Sequence, residues 1–481
     1  MRFMHNKIIY LSPVFLIGII FAILNKPLLL KEPPVWPDDS LFASPAYILA
    51  THGYLGSELY YGIVPGLERY TYSNPPLYFL FLAGIIKLFG MNILVLRWTS
   101  VALGMSLFVL LFFLAKAVAR TGWVGILACT LLAIDPEFLR GCRIARPDIL
   151  CVVLITAASY FYARCINCPA HKVNLTMTGL CMGLAVLTHP LGLIAVISIC
   201  IHYFINVARG KARLSGTVYL LIPFLLLIAL WGIYIAQHYT YFEKQMLGQF
   251  GRKMGVRYWL WSLWGQSGRR VSLLIYIAAT LGIFTISLRG KDNSLFFLSL
   301  LCSTALIMAL SGREMWYSIY YAPFCAFAVA LCAGRLWRIR APVPCIALFF
   351  IGFLIYNNAA DYRWTYIATM RYDYSGICED IEKELRPHST IFLHCVPDPY
   401  FCLINSPKSL TIREFHPTAP LADLKAAIAR SDYLIISPGD TYLVKDMPPW
   451  RIKRIVRIGA HQPGQYQLLL VEFRNIRREE E

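Results

Sequence analysis

The segment "PPLYFLFLAGIIKLFG" (residues 75–90) decides how the chain is threaded through a membrane. Its apolar core of about 13 residues falls short of the roughly 20 that a helix needs to cross a bilayer. Lys87 gives it a polar side, as in helices that lie along a membrane surface, and the two prolines suit a first helical turn. We predict an interfacial helix over 76–90 on the outer surface. If it spanned instead, every later loop would change sides.

The composition places the whole chain in a membrane. Of its 481 residues, 58% are hydrophobic and 15% are charged, which is too apolar for a soluble globular protein. Apolar runs of spanning length predict a polytopic α-helical membrane protein with about eleven transmembrane helices. The first is an uncleaved span over 8–30. The others are expected near 93–119, 122–138, 148–163, 174–188, 190–207, 216–236, 272–288, 294–310, 317–334 and 342–358.

The net charge of +18 comes from 45 Lys and Arg against 27 Asp and Glu. In a soluble domain this balance would suggest nucleic acid. Here many bases lie in short loops between spans, where they set topology and meet anionic lipid, so we expect membrane lipid and no nucleic acid as partner. With helix 76–90 outside, the basic loop "ARGKAR" (208–213) is cytoplasmic.

The chain divides into two predicted domains. Residues 1–358 form the transmembrane domain, with extracytoplasmic loops at 31–90 and 237–271. Residues 359–481 form a small extracytoplasmic α/β domain, because "STIFLHCV" (389–396) reads as a strand and further helix and strand patterns follow. Cys395 and Cys402 could pair there if the compartment is oxidising.

Two adjacent acids follow the first span in "VWPDDSLFASPAY" (residues 35–47). Asp38 or Asp39 would suit a general base held near a substrate at the membrane edge. A divalent cation is a second use for such a pair. A solvated surface loop is the third interpretation, and the residues alone leave all three open.

A cluster of charges follows at "RGCRIARPDIL" (140–150). Arg143 and Arg146 can bind phosphate through their planar forks. Snorkelling to lipid headgroups is the alternative, although Asp148 gains nothing from anionic lipid. Ionisable groups at a bilayer edge favour a functional site.

Two further features have a functional and a structural interpretation. His189 in "LTHPLG" (187–192) either supports a site or simply starts a helix. The loop 237–271 combines bases with tryptophans, which suits either a lipid phosphate or general membrane anchoring. Its bases are Lys244, Arg252, Lys253, Arg257, Arg269 and Arg270.

Three of these motifs, in this order, resemble the GT-C glycosyltransferases that use polyprenyl-phosphate sugars. The resemblance is greatest to the bacterial branch of aminoarabinose transferases and protein O-mannosyltransferases. The matching pieces are Asp38-Asp39 followed by Ala43, the helix at 75–90 before "LRWTSVALG", and "RIARPDIL". They cover about residues 1–200. Asp39 stands where the family usually has Glu, and Asn74 stands where it often has Lys or His.

The resemblance implies a GT-C fold and an inverting sugar transfer with Asp38 as the base, or holding the acceptor, and Asp39 beside it. Because Asn74 stands at the position of the usual Lys or His, we expect donor-phosphate contacts from Arg143 and Arg146 or from the basic loop, at Arg252, Lys253, Arg257 and Arg269. Asp148, Tyr72, Asn74 and His189 would support the site. The family's chemistry is metal-optional, so we assign no metal or cofactor and leave a divalent cation open.

The function implied is that of a hexosyl or pentosyl glycosyltransferase in the cell inner (plasma) membrane, with its active site on the extracytoplasmic side. The donor would be a polyprenyl-phosphate sugar and the acceptor a lipid, glycan or protein of the cell envelope. A polysaccharide ligase or polymerase would instead use the bases of the 237–271 loop. A lipid-linked-sugar transporter would carry charges in mid-span, whereas the charges here cluster at span ends; a scaffold role is the remaining alternative.

Overall fold

A computed structural model gives the structure of the chain. It describes residues 2–167, 171–253, 292–311, 315–337, 343–370, 372–445, 447–459 and 466–474. The helices of the first half are α1 (Arg2–Asn25), α2 (Pro37–His52), α3 (Leu77–Phe89), α4 (Ile93–Ala119), α5 (Gly122–Ala133), α6 (Pro136–Gly141), α7 (Pro147–Asn167), α8 (His171–Thr188), α9 (Leu193–Ala208), α10 (Gly216–Gln237) and α11 (Tyr239–Lys253). Then come α12 (Asp292–Ser311), α13 (Ala322–Leu336), α14 (Val343–Thr369), α15 (Tyr374–Glu384), α16 (Tyr400–Leu403), α17 (Leu421–Ala429) and α18 (Tyr442–Lys445).

Five segments of the described chain are helical, long and apolar enough to cross a membrane: Leu11–Leu28, Ile93–Ala119, Pro147–Ile166, Pro190–Ala208 and Gly216–Gln237. Shorter apolar helices include α5 and α13, which pack against each other, and α5 also packs against α4 and α1. The mostly helical membrane fold is as predicted. The number of eleven spans stays a prediction, and the span expected at 272–288 lies outside the described residues.

The bundle packs through small residues as well as large ones. Gly179 of α8 lies against the backbone of α10, and a Cβ at this position would come within 2.0 Å of the Leu220 carbonyl oxygen. Small residues permit such close helix contacts in membranes. The opposite side of α10 exposes leucines and isoleucines, as a lipid-facing surface does.

The predicted short helix at 76–90 is present as α3, which follows Pro76 and ends at Gly90 with a positive φ of 78°. Tyr78 and Phe79 are buried against Phe42 of α2. Leu80 and other apolar residues of α3 are exposed. One side of the helix therefore packs on the protein, and the other side is exposed. The placement of α3 on a membrane surface stays a prediction.

The single helix predicted over 122–138 is wrong, because the chain forms two helices there. Asp135 interrupts the pattern: its carboxylate accepts the Phe138 N–H at 2.9 Å and so caps α6, while Pro136 occupies the first position of that helix. Aspartate before proline is a helix start, and the break directs residues 140–146 toward α2.

Five strands form one sheet in the C-terminal region: β1 (Thr390–His394), β2 (Thr411–Glu414), β3 (Tyr433–Ile436), β4 (Ile452–Ile458) and β5 (Leu468–Phe473). Their order is β2-β1-β3-β5-β4. Strands β2, β1 and β3 are parallel, and β5 is antiparallel to both of its neighbours, β3 and β4. The last long apolar helix, α14, continues past residue 358 to Thr369.

The sheet packs on the polar segment that follows the first span. One apolar core joins Val35 and Phe42 to Phe392 and Leu434 of the sheet. A second core lies within the helical bundle. The disulfide of this region joins Cys378 to Cys402, with Cα atoms 6.0 Å apart, so the suggested Cys395–Cys402 pairing is wrong; Cys395 is buried as a free thiol.

Candidate active site

The acid pair lies in the first turn of α2, and the helix start sends its two side chains in different directions. Pro37 takes the first helical position, and the Trp36 N–H donates to Asp39 Oδ2 at 3.1 Å. This capping fixes the turn. Asp38 keeps 24% of its side-chain surface exposed, whereas Asp39 is completely buried.

Asp39 belongs to a buried ion pair. Its Oδ2 lies 2.5 Å from Arg97 of α4, and its Oδ1 accepts the Ala145 N–H at 2.7 Å. Arg97 also donates to three carbonyl oxygens just beyond the first span, those of Leu29, Pro33 and Pro34. The pair therefore ties together α2, α4 and two loops, and Asp39 is not directed toward a cleft.

Asp38 pairs with Arg146, and Arg146 is held on its other side by Asp148, whose Oδ2 lies 2.8 Å from Arg146 Nε. The guanidinium lies 5.7 Å from the Phe42 ring centroid and 5.8 Å from that of Trp316. An Arg held by two carboxylates and two rings has a defined orientation. The three charges predicted from "RPDIL" and the acid pair are therefore brought together, with Asp38 at the exposed end.

His189 lies at the far side of the same cluster. It is buried, its Nδ1 accepts the Leu191 N–H at 3.2 Å, and its ring packs beside Tyr317 and Tyr320. It also interacts electrostatically with Asp148. His189 thus caps a helix start, as the structural interpretation predicts. It also lies near Asp148, and its supporting role in the site stays a prediction.

Arg143 lines a separate cleft. Only 3% of the residue is exposed, and its Nε and Nη1 atoms lack hydrogen-bond partners in the described structure. Burial lowers the pKa of Arg143 to about 10, so it stays protonated at pH 7. The other residues of the cleft are Glu32, Pro136, Leu139, Arg140, Asp361, Tyr362 and Thr365.

The Arg143 cleft adjoins the Asp38 cluster through Trp316. Arg140 lies 3.1 Å from Glu32 and stacks on the Trp316 ring at 5.0 Å, the same ring that Arg146 approaches. The Trp316 ring, which both Arg140 and Arg146 approach, therefore connects the cleft of Arg143 with the partly exposed carboxylate of Asp38.

Tyr72 and Asn74 lie in another part of the molecule, in the loop before α3. The backbone N–H groups of Tyr72 and Ser73 donate to Gln245 Oε1 at 2.7 and 3.1 Å, and Gln245 Nε2 donates to the Tyr70 carbonyl at 2.7 Å. Asn74 is half-buried in this loop. Gln245 of α11 thus fixes the loop, and Tyr72 packs on Tyr234 rather than on the acid pair.

The predicted basic loop is described only in part. Lys244 and the backbone of Arg252 and Lys253 lie in α11, while Arg257 and Arg269 lie outside the described residues. Their proposed contact with a donor phosphate therefore stays a prediction.

The acid pair does not fit a divalent cation. Asp39 forms an ion pair with Arg97, and Asp38 forms one with Arg146. The described residues contain no group of three or more His, Cys, Asp or Glu side chains placed to hold a metal ion. We derive no step through a metal.

Two parts of the site were missed by the sequence analysis. Arg97 is a lone charge near the start of an apolar helix, and intramembrane charges call for partners, so this signal was available. Glu414, at the end of β2, lies beside Ser40 of α2. No local pattern links two residues that are so far apart in the chain.

Comparison with known proteins agrees with this architecture. Residues 73–234 match the family model described as dolichyl-phosphate-mannose-protein mannosyltransferase. No curated protein matches the chain by sequence.

Solved structures are similar over nearly the whole chain. ArnT from Cupriavidus metallidurans bound to undecaprenyl phosphate has a TM-score of 0.58 at 13% identity, covering 96% of this chain and 98% of ArnT. The apo state of ArnT gives 0.61 at 12% identity, with 98% of each chain covered. AglB from Archaeoglobus fulgidus, in complex with an inhibitory peptide and a dolichol-phosphate, gives 0.56 at 11% identity, covering 90% of this chain and 70% of AglB.

These similarities show the fold. The chain has the fold of ArnT and AglB, and the family model matches residues 73–234 of its 481 residues.

Proposed function

We propose that the protein transfers a sugar from a polyprenyl-phosphate donor to an acceptor on the extracytoplasmic side of the membrane, with inversion, and with Asp38 as general base. The observation that carries this proposal is the pairing of a partly exposed carboxylate, Asp38, with Arg146 at a helix start beside a cleft that contains the buried Arg143. The fold similarity to ArnT and AglB supports a lipid-phosphate donor, since both are known with polyprenyl phosphates bound.

The proposed reaction is a single displacement. The acceptor hydroxyl or amine loses its proton to Asp38 as its oxygen or nitrogen bonds to the anomeric carbon. The bond from that carbon to the phosphate oxygen breaks on the opposite side, and its electron pair leaves with the polyprenyl phosphate. The ion pair with Arg146 fixes the orientation of the Asp38 carboxylate.

Arg143 is the donor-phosphate residue that the geometry supports best. Arg146 is already engaged by Asp38 and Asp148, whereas Arg143 has unpartnered N–H groups in its cleft. Fixed positive charge beside the leaving phosphate stabilises the charge that develops there. Asp39 has a positioning role in this proposal, because its oxygens are bound by Arg97 and by backbone N–H groups.

The disulfide supports the extracytoplasmic placement of the C-terminal sheet. Disulfides persist in oxidising compartments and are rare in the cytosol. Cys378–Cys402 therefore favours the same side for the sheet and for α2, which it contacts.

The experiment is transfer by the full-length protein in liposomes, using a panel of undecaprenyl-phosphate and dolichyl-phosphate sugars labelled in the sugar, with cell-envelope extract as the acceptor source. We expect released polyprenyl phosphate and labelled product with the wild type, and at least about a hundredfold less with Asp38→Asn. Asp373→Asn, at an exposed acid before α15, is the matched control. Undiminished transfer by Asp38→Asn would overturn the assignment of the base.

A further inference from the structure

Ser40 lies between Asp38 and the C-terminal sheet, and its hydroxyl contacts oxygen atoms of Pro37, Glu414 and Asp398. Ser40 Oγ is 2.8 Å from the Pro37 carbonyl oxygen and 2.9 and 3.2 Å from the two oxygens of Glu414. A serine hydroxyl has one proton to donate, and a peptide carbonyl can only accept. If the Ser40 proton goes to Pro37, the contact with Glu414 is a full hydrogen bond only when the Glu414 carboxyl carries a proton and donates it.

The surroundings of Glu414 favour that protonated form. The residue is 2% exposed, and its acidic neighbours in the described structure are Asp398 and Asp38. Hydrogen bonds with the Ser40 and Tyr60 hydroxyls lower its pKa, but by less than burial and these acids raise it. An ionised carboxylate buried among acids is costly. Burial, and then Asp398, raise the pKa of Glu414 well above its usual range.

The two nearby arginines bind other groups. Arg146 binds Asp38 and Asp148, and Arg413, next to Glu414 in β2, donates to the Glu58 carbonyl oxygen at 3.0 Å. His416 packs on the Tyr60 ring, with centroids 4.9 Å apart, and shares a 2.8 Å contact with the Thr418 hydroxyl. In the described structure neither guanidinium forms an ion pair with Glu414.

We propose that Glu414 is a neutral carboxylic acid at pH 7 and a positioning residue, which holds the first turn of α2, and thereby Asp38, by donating a hydrogen bond to Ser40. This inference rests on the proposed function, in which Asp38 is the base. It makes the C-terminal sheet a part of the active site, since the sheet supplies the side chain that fixes the catalytic turn.

Ionisation of Glu414 would have two effects on the site. It would remove the proton that joins Glu414 to Ser40, and it would add a second negative charge beside the Asp38–Arg146 pair. Both effects disfavour the catalytic arrangement, so activity should fall as the pH rises through the pKa of Glu414.

The protonation state is tested first, by infrared spectroscopy on the full-length protein in liposomes at pH 7 without donor. The spectrum of the wild type should contain a protonated-carboxyl band that Glu414→Gln lacks. Glu472→Gln is the control, because Glu472 is buried in β5 of the same sheet but lies 2.5 Å from Arg454 and 3.0 Å from Lys453. Identical absorption of the wild type and Glu414→Gln in this band would overturn the proposal.

The positioning role is then tested by kinetics. Glutamine can donate to Ser40 but cannot ionise, so Glu414→Gln should keep kcat within about twofold and lose the decline at alkaline pH. Glu414→Ala should lower kcat about fivefold to tenfold with little change in KM for the donor. Loss of activity by Glu414→Gln as large as that by Glu414→Ala would refute the role.

The two proposals fail separately. If Asp38→Asn is active and the infrared band is present, Asp38 is not the base, but the neutral state of Glu414 still holds. If Asp38→Asn is inactive and the band is absent, Glu414 is not neutral, but the assignment of Asp38 as the base still holds.

Discussion

At the scale of single residues, the adjacent acids illustrate how neighbours in sequence acquire different roles. Asp38 is partly exposed and paired with Arg146, whereas Asp39 is buried with Arg97. Removing one partner of a buried ion pair leaves the other charge uncompensated, at about 3–5 kcal/mol. We expect Asp39→Asn and Arg97→Met each to lower the apparent melting temperature of the purified protein markedly. The melting temperature of the double variant should fall by less than the sum of the two single decreases. Decreases that simply add would argue against an interaction between Asp39 and Arg97.

Arg143 allows a direct test of phosphate binding. Charge-assisted hydrogen bonds contribute about 1.5–3 kcal/mol, so Arg143→Gln should weaken binding of undecaprenyl phosphate by about tenfold to a hundredfold, measured by titration in nanodiscs. Arg164→Gln removes an exposed arginine that stacks on Tyr160 and should leave the Kd unchanged. Equal Kd values for the two variants would show that the phosphate does not bind in the Arg143 cleft.

Asp398 should make stability depend on pH. Burial raises its pKa from 3.8 to about 7, so its contribution to stability is fully present below pH 3.8 and lost as the pH rises through about 7. The raised pKa corresponds to about 4 kcal/mol. Asp398→Asn keeps an acceptor for the Tyr400 N–H and should raise the apparent melting temperature above pH 7 much more than at pH 4. A shift that is independent of pH would contradict this assignment.

At the scale of elements, Gln245 is the link between α11 and the loop before α3. Its side chain makes three hydrogen bonds to the backbone of residues 70–73, so Gln245→Ala should speed hydrogen exchange in this loop without melting α11. Exchange measured by mass spectrometry on peptides covering 66–76 tests this. Glu243→Ala, an exposed change on the same helix, is the control, and equal exchange in both variants would refute the link.

The elements also separate what the sequence could predict from what it could not. The Pro-Pro start was sufficient to predict α3, and the length of the apolar runs was sufficient to predict the long helices, because both signals lie within the segment itself. The break at Asp135 was also visible, as an acid before a proline. Arg97 with Asp39 and Ser40 with Glu414 could not be paired, because each contact joins distant segments through tertiary packing.

At the scale of the whole molecule, the C-terminal sheet is not an independent appendage. Its apolar residues share one core with α2 and α3. Polar contacts cross the same boundary, including the Asp398 N–H bond to the Val35 carbonyl oxygen at 2.8 Å. A change in the sheet can therefore reach the acid pair without passing through the bundle.

The redox state of Cys378 and Cys402 tests the proposal that this assembly lies on the extracytoplasmic side. The membranes are denatured in the presence of a thiol-reactive polyethylene glycol, with or without prior reduction. If the compartment is oxidising, the wild type should gain two tags on prior reduction, because Cys378 and Cys402 are paired. The Cys378→Ser/Cys402→Ser variant should gain none. Cys395→Ser, at a buried free thiol, should lose one tag with or without reduction and still gain two. A wild type that gains no tag would place the sheet, and with it Asp38, on the reducing side.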